Sequence, residues 1–292
     1  MGRSAAGRRF TTRQPRGQHF LVDASCSRRI LECAGLSPEE EVIEIGAGFG
    51  ALTIPLSTLV SRVIAIELDE GLVRSLHDRI AGISERVTIL HADVMRVDFT
   101  GLCSDLSRPP VVLGNLPYYL ATALIQRLLS LGTRVDRMVF MVQKEVAERI
   151  VAGPPGKAYG YLSLIVEYRA EADYLFDIPP SVFKPRPRVE SSVIRLRPRS
   201  SPPVEVKDEQ LLFRIIQSGF RHRRKTLVNA LRLDPQFDSL DIEEIVQGIG
   251  CERRVRAEVL RLEDFACLSN VLFDRLATAP CPRDQGPSTC HS

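Results

Sequence analysis

Between residues 24 and 142 the chain alternates short, nearly continuous apolar runs with longer amphipathic ones. Ile30, Leu31, Ala34 and Leu36 recur near helical spacing over residues 24–36. The runs 42–45, 62–67, 87–90, 111–113 and 138–142 are predicted as strands, and 51–60, 72–80 and 120–131 as helices. Leu72, Val73, Leu76 and Ile80 fall on one face of the second of these helices. Apolar strands joined by amphipathic helices predict an α/β fold, a parallel sheet covered on both sides and doubly wound by right-handed crossovers. Ligands of such sheets bind outside the carboxyl ends of the strands. After Ser200-Ser201-Pro202-Pro203 the pattern changes to helices alone, over 209–220, 225–231, 242–249 and 262–276, which predicts a small helical second domain.

Composition narrows the class without choosing a function. Of 292 residues, 44% are hydrophobic and 26% charged, which excludes a wholly disordered chain. No apolar run approaches a membrane span, and the basic start lacks the apolar stretch of a secretory signal. Seven scattered cysteines without a C-x-x-C pair fit neither a disulfide scaffold nor a zinc site, so the expectation is a cytoplasmic protein without a metal. The net charge of +3 decides little, but the bases are clustered. Arg3, Arg8, Arg9, Arg13 and Arg16 meet no acid before residue 23, residues 184–199 hold six bases against Glu190, and 221–225 read Arg-His-Arg-Arg-Lys. Local positive charge of this kind suits a polyanion, the bland alternative being a solvated, arginine-rich surface.

The candidate chemistry sits where the strands end. Gly46-x-Gly48-x-Gly50 follows the first strand and lets a ligand approach the backbone closely. Glu67, 21 residues after Gly46, closes the second strand, where a carboxylate can accept bonds from ribose hydroxyls. Both features are shared by nicotinamide and S-adenosylmethionine proteins. Asp93 ends the third strand, where it can accept a bond from an adenine amine, with Leu68 and Val94 available to pack on the ring. The fourth strand runs into Gly114-Asn115-Leu116-Pro117-Tyr118, the most specific signal in the chain. An exocyclic adenine amine is a poor nucleophile because its lone pair is delocalised into the ring. The Asn115 side-chain oxygen and the Leu116 carbonyl can draw its two hydrogens and aim the lone pair, Pro117 stiffens that backbone, and Tyr118 offers a face for stacking. No strong general base is then required, and catalysis is positioning and electrostatics. Downstream, Pro179-Pro180-Ser181-Val182-Phe183-Lys184-Pro185-Arg186-Pro187-Arg188 combines prolines, an aromatic ring and bases in a stiff loop that can hold a nucleobase.

Gly17-Gln18-His19-Phe20-Leu21, Glu44-Ile45-Gly46-Ala47-Gly48, Asn115-Leu116-Pro117-Tyr118, Gln143-Lys144-Glu145-Val146-Ala147 and Phe183-Lys184-Pro185-Arg186-Pro187 together resemble the ribosomal RNA adenine dimethyltransferases, most of all the bacterial small-subunit type linked to kasugamycin sensitivity. The resemblance runs from about residue 16 to residue 232. It implies a class I methyltransferase fold with a helical C-terminal domain, and dimethylation of two adjacent adenines near the 3′ end of 16S RNA during ribosome biogenesis. It implies that His19, Leu21, Gly46, Glu67, Asp93 and Asn115 line an S-adenosylmethionine pocket, and that Tyr118 and Phe183 sandwich the target base. Position 19 departs from the family, which commonly has asparagine there. The expected organisation is a basic arm at 1–16, a catalytic domain at 17–199, a helical domain at 204–277 and a disordered tail at 278–292. RNA contacts are expected from Lys184, Arg186, Arg188, Arg221, Arg223, Arg224 and Lys225, the partner being the small ribosomal subunit and the protein a monomer. Three alternatives stand beside this reading. One is a large-subunit RNA methyltransferase of the macrolide-resistance type, which the Q-K-E-V-A and F-K-P-R-P segments disfavour. The second is a non-catalytic RNA-binding assembly factor. The third is a nicotinamide oxidoreductase, which leaves N-L-P-Y without a purpose.

Overall fold

A computed structural model describes residues 18–82 and 85–278 of the chain; the expected basic arm and all but the first residue of the expected tail lie outside them. The described residues divide into two compact units, the first ending at Val151 and resuming over Arg169–Ser200, the second made of Ala152–Tyr168 and residues 201–278.

The first unit opens with β1 (Phe20–Leu21) and α1 (Ala24–Ala34) and continues through β2 (Glu41–Ile45), α2 (Thr53–Leu59), β3 (Arg62–Glu67), α3 (Glu70–Ile80), β4 (Val87–His91), α4 (Phe99–Ser104), β5 (Val111–Asn115), α5 (Ala121–Leu129), β6 (Arg137–Gln143) and α6 (Lys144–Val151). Helix α7 (Tyr161–Arg169) leads into β7 (Ala170–Ile178), β8 (Phe183–Lys184) and β9 (Ser191–Pro198). Three of these helices start where an aspartate accepts backbone N–H groups left free in the first turn: Asp23 at α1, Asp69 at α3 and Asp98 at α4.

Seven strands form one sheet in the order β4-β3-β2-β5-β6-β9-β7. The first five are parallel, as the apolar runs predict. Strand β9 lies antiparallel between β6 and β7, so the sheet is mixed rather than wholly parallel. Val42, Val63, Ala65, Val111, Leu113, Val139 and Met141 face a core that includes Ile30 and Leu31 of α1, Leu56 of α2 and Leu76 of α3. Their strand neighbours Ile43, Ile45, Ile64, Ile66, Val112 and Phe140 are equally buried, as period-two alternation requires of a sheet covered on both faces. The chain winds outward from β2 through β3 to β4 and then returns to β5 on the other side of β2. The order therefore reverses between β2 and β5, and their carboxyl ends open on the crevice where such sheets bind ligands. A separate two-stranded ladder pairs β1 with β8, Leu21 opposite Phe183 and Phe20 opposite Lys184.

The second unit holds all of α7 but its last residue, together with α8 (Glu209–Arg221), α9 (Leu227–Leu231), α10 (Ile242–Gly248) and α11 (Leu262–Thr278), the last four close to the helices predicted from periodicity. Residues 152–168 group with this unit rather than with the catalytic domain expected at 17–199. The cause is burial: Tyr159 is enclosed and donates its hydroxyl to the Leu260 carbonyl at 2.9 Å, while Leu164 and Tyr168 join the helical core with Leu212, Ile215 and Phe265.

Candidate active site

Strand ends set the geometry of the crevice. Ile45 and Gly114 are register partners, and a Cβ on Gly114 would lie 2.6 Å from the Ile45 carbonyl oxygen. Only glycine lets β2 and β5 approach this closely just before Asn115. Beyond Ile45 the backbone turns at Gly46 with φ 74°, a left-handed conformation that favours glycine. A Cβ there would meet the Asn115 carbonyl at 3.3 Å. The cavity of about 250 Å³ outside these ends is lined by Gln18, His19 and Phe20 from the N-terminal segment, by Gly46, Gly48, Glu67, Leu68, Asp93 and Val94, and by Asn115 through Leu120.

Asn115 is pinned within it. Its Nδ2 donates to the His19 carbonyl oxygen at 2.8 Å, which fixes the amide orientation and leaves Oδ1 as the unconstrained end. The His19 ring is held in turn. Its Nδ1 contacts the Pro185 carbonyl oxygen at 2.7 Å and must be the donor, because a carbonyl only accepts. The residue that departs from the family pattern therefore ties the N-terminal segment to the 183–188 loop. Leu116 donates its N–H to the Met141 carbonyl at 3.1 Å and is almost completely enclosed. Tyr118 shares a hydrogen bond of 2.8 Å with Ser191 Oγ; burial pushes its phenol upward and the Ser191 bond opposes this.

The two carboxylates on the cofactor side differ. Glu67 is 5% exposed and accepts three backbone N–H groups, Gly48 on Oε2 at 2.9 Å and Leu68 and Asp69 on Oε1 at 2.9 and 3.0 Å. A carboxylate has about four acceptor sites, so roughly one remains for a ligand without loop movement. Asp93 forms a local turn, with Oδ1 accepting from Met95 N at 2.9 Å and Oδ2 only loosely paired with Arg96 at 3.7 Å. The tight glycine turn, one carboxylate at the end of β3, a second after β4 and Leu68 and Val94 between them suit a nucleoside with an extended polar tail. Beneath them Glu44 is 2% exposed and accepts a 2.6 Å bond from Thr53 Oγ1; burial pushes its carboxyl to about 8, helped by the neighbouring Glu67 charge.

Two expected site residues stand elsewhere. Leu21 lines a neighbouring, larger cleft between α1 and α2 and packs in the core. Phe183 is 2% exposed within the same core, held there by the β1–β8 ladder, so it presents no free face to a base. Tyr119, 72% exposed on the cavity rim, is the aromatic that sequence reading passed over. Its position after Pro117-Tyr118 was the available signal.

The basic clusters divide in the same way. Arg195 and Arg197 pair with Asp173 across the β7–β9 ladder, both at 2.9 Å, and Arg199 pairs with Glu171 at 3.1 Å, which removes them as free contacts for a polyanion. Lys184, Arg186 and Arg188 are exposed. In the helical unit Arg221, Arg224 and Lys225 are exposed, whereas Arg223 donates to the Lys157 and Tyr159 carbonyls, each at 3.0 Å, and pairs with Glu258 at 3.6 Å. Its guanidinium staples residues 157–159 to the end of α8 and is not a free RNA contact.

A family model described as ribosomal RNA adenine dimethylase matches residues 9–271. The chain is 41% identical over 267 residues to ribosomal RNA small subunit methyltransferase A of Moorella thermoacetica, covering 89% of this chain and 92% of that one. It is 39% identical over 270 residues to the protein of the same name from Geobacillus thermodenitrificans, covering 90% and 92%. Among solved structures, a dimethyladenosine transferase from Plasmodium falciparum aligns with a TM-score of 0.75 at 22% identity, over 89% of this chain and 98% of that one. The 23S rRNA methyltransferase ErmE aligns with a TM-score of 0.66 at 23% identity, over 87% and 99%. At such identities the two structures establish the fold alone.

Proposed function

Because the chain belongs to the ribosomal RNA adenine dimethylase family, we propose that it dimethylates two adjacent adenines near the 3′ end of small-subunit (16S) ribosomal RNA as a step in ribosome biogenesis. Its class is that of an S-adenosylmethionine-dependent methyltransferase acting on ribosomal RNA adenine, on a class I fold. The small-subunit target rests on relatives at 41% and 39% identity that carry that name, whereas the 23S enzyme shares the fold at 23% identity. The same reading puts the protein in the cytoplasm, where a bacterial ribosome is assembled. It also has the protein act as a monomer.

The observation that carries this reading is the fixed amide of Asn115 at the point where the strand order reverses. With Nδ2 committed to His19, Oδ1 accepts one hydrogen of the adenine amine, and the Leu116 carbonyl accepts the other. The nitrogen then becomes tetrahedral and its lone pair is aimed. S-adenosylmethionine, when bound, supplies a methyl group already activated on a sulfonium. Glu67 orients the ribose hydroxyls through its remaining acceptor site, and Asp93 takes the cofactor's adenine amine. Tyr118 carries the flipped target base. The product ammonium loses its proton to water, so no side chain need act as a strong base.

Asn115→Ala tests the reading. Methyl transfer to under-methylated small subunits, followed with tritiated cofactor, should fall about 100-fold or more, while cofactor affinity by calorimetry changes only a few-fold. Undiminished turnover would remove Asn115 from the chemistry. Primer extension should place the modified adenines as neighbours near the 3′ end of 16S RNA, and stops confined to large-subunit RNA would refute the target. A non-catalytic assembly factor would bind no S-adenosylmethionine at millimolar concentration.

A further inference from the structure

Beside the cavity, a polar network joins the ends of three strands and ends on Tyr118. Lys144, the first residue of α6, lies directly after β6. Its backbone N–H donates to the Glu190 carbonyl at 3.0 Å, and its Nζ bridges Asp177 at 2.9 Å and Glu190 at 3.0 Å. Asp177 also accepts from Ser192 Oγ at 2.7 Å and from the Tyr174 hydroxyl. These bonds hold the first residues of β9, where Ser191 pairs with Gln143 of β6 and Ile178 of β7, against the strands on either side. Ser191 and Ser192 are fully enclosed, so their hydroxyls have fixed partners. One partner is the phenol of Tyr118, 73 residues earlier, at 2.8 Å from Ser191 Oγ. The sequence shows Lys144 within the Q-K-E-V-A segment and Ser191 at the end of the proline-rich loop, without indicating that the two share a task.

Resting on the reading of Tyr118 as the platform for the target base, we infer that Ser191 is a positioning residue for methyl transfer, fixing the tilt of the Tyr118 ring through its hydroxyl while the Lys144–Asp177–Glu190 corner holds Ser191 in place. An aromatic platform with a free phenol can rotate about its side-chain torsions. One whose phenol is tied to a buried hydroxyl offers a single plane. A base stacked on that plane is presented to the Asn115 amide in one orientation, and errors on the order of 1 Å in such alignment cost up to about 100-fold in rate. Ser191 is not among the residues that line the cavity, so its removal should act on turnover and leave cofactor binding alone.

The test is a double-mutant cycle with S191A and Y118F on the full-length protein, assayed on under-methylated small subunits. Each single variant should lower kcat by about 10-fold with the KM for S-adenosylmethionine unchanged, and the double variant should lose no more than either. The phenol of Tyr118, read as the difference in ultraviolet titration between wild type and Y118F, should ionise at higher pH in S191A than in wild type, because burial then acts unopposed. Y118F leaves β9 intact and keeps the test valid if S191A fails to fold. Full turnover in Y118F, or losses that multiply in the double variant, overturn the inference. Y118A separates the layers. If it is inactive while S191A and Y118F are fully active, only the positioning role falls; if it is fully active, the stacking platform falls and this inference with it.

Discussion

Glu44 shows how far one enclosed carboxyl bears on the molecule's response to pH. Its folded value near 8 exceeds an ordinary carboxylate's, so the native protein holds a proton that the unfolded chain releases. Its contribution to stability is therefore present below the usual carboxylate range and lost as pH rises toward 8. Urea unfolding at pH 5 and pH 8 should show this loss, on the order of a few kcal/mol, and Glu44→Gln should flatten it. Equal pH slopes in the two proteins would remove Glu44 from the account. Glu67 is the companion case, its oxygens engaged by three backbone N–H groups. Glu67→Ala should weaken S-adenosylmethionine binding in calorimetry by at least 10-fold. Gly46, Glu67, Asp93 and Asn115 were legible in the sequence because a strand end is a local feature and a doubly wound sheet gathers such ends. Arg223 was not, because its carbonyl partners lie some 65 residues away and charge runs do not reveal them.

At the scale of elements, the five parallel strands and helices α1, α2, α3 and α5 follow from apolar runs and helical periodicity, whereas α4 and α6 do not. The β7–β9 pair did not, because its burial alternates with charged positions such as Asp173 and Arg195, which satisfy each other across the ladder. Phe183 belongs to the same lesson. Prolines and bases around it suggested a displayed ring, yet pairing with Leu21, 162 residues earlier by number, turns it into the core. Phe183→Ala should therefore act first on stability, lowering it by about 3–5 kcal/mol in denaturant unfolding. Phe183→Leu should recover most of this, and methyl transfer with it. Loss of activity in a fully stable Phe183→Leu protein would return the ring to the substrate.

For the whole molecule, net charge of +3 conceals where RNA can be held. Ion pairs consume Arg195, Arg197 and Arg199, while Lys184, Arg186 and Arg188 in one unit and Arg221, Arg224 and Lys225 in the other remain exposed. Arg224→Glu with Lys225→Glu should weaken RNA binding and flatten the dependence of log affinity on log salt by about two phosphate contacts. Arg223→Ala should chiefly lower the melting temperature. An unchanged salt slope in the double variant would assign the RNA face elsewhere. One bond carries a consequence for how the enzyme is made. The Asn115 amide is locked by a carbonyl 96 residues earlier in the chain, on a histidine itself locked by a carbonyl 166 residues later. During synthesis the N-terminal strand leaves the ribosome first and must wait, unpaired, until Pro185 has been added, so a nascent chain halted short of that proline carries Gly46, Glu67, Asp93 and Asn115 and still lacks the bond that holds His19 against the 183–188 loop.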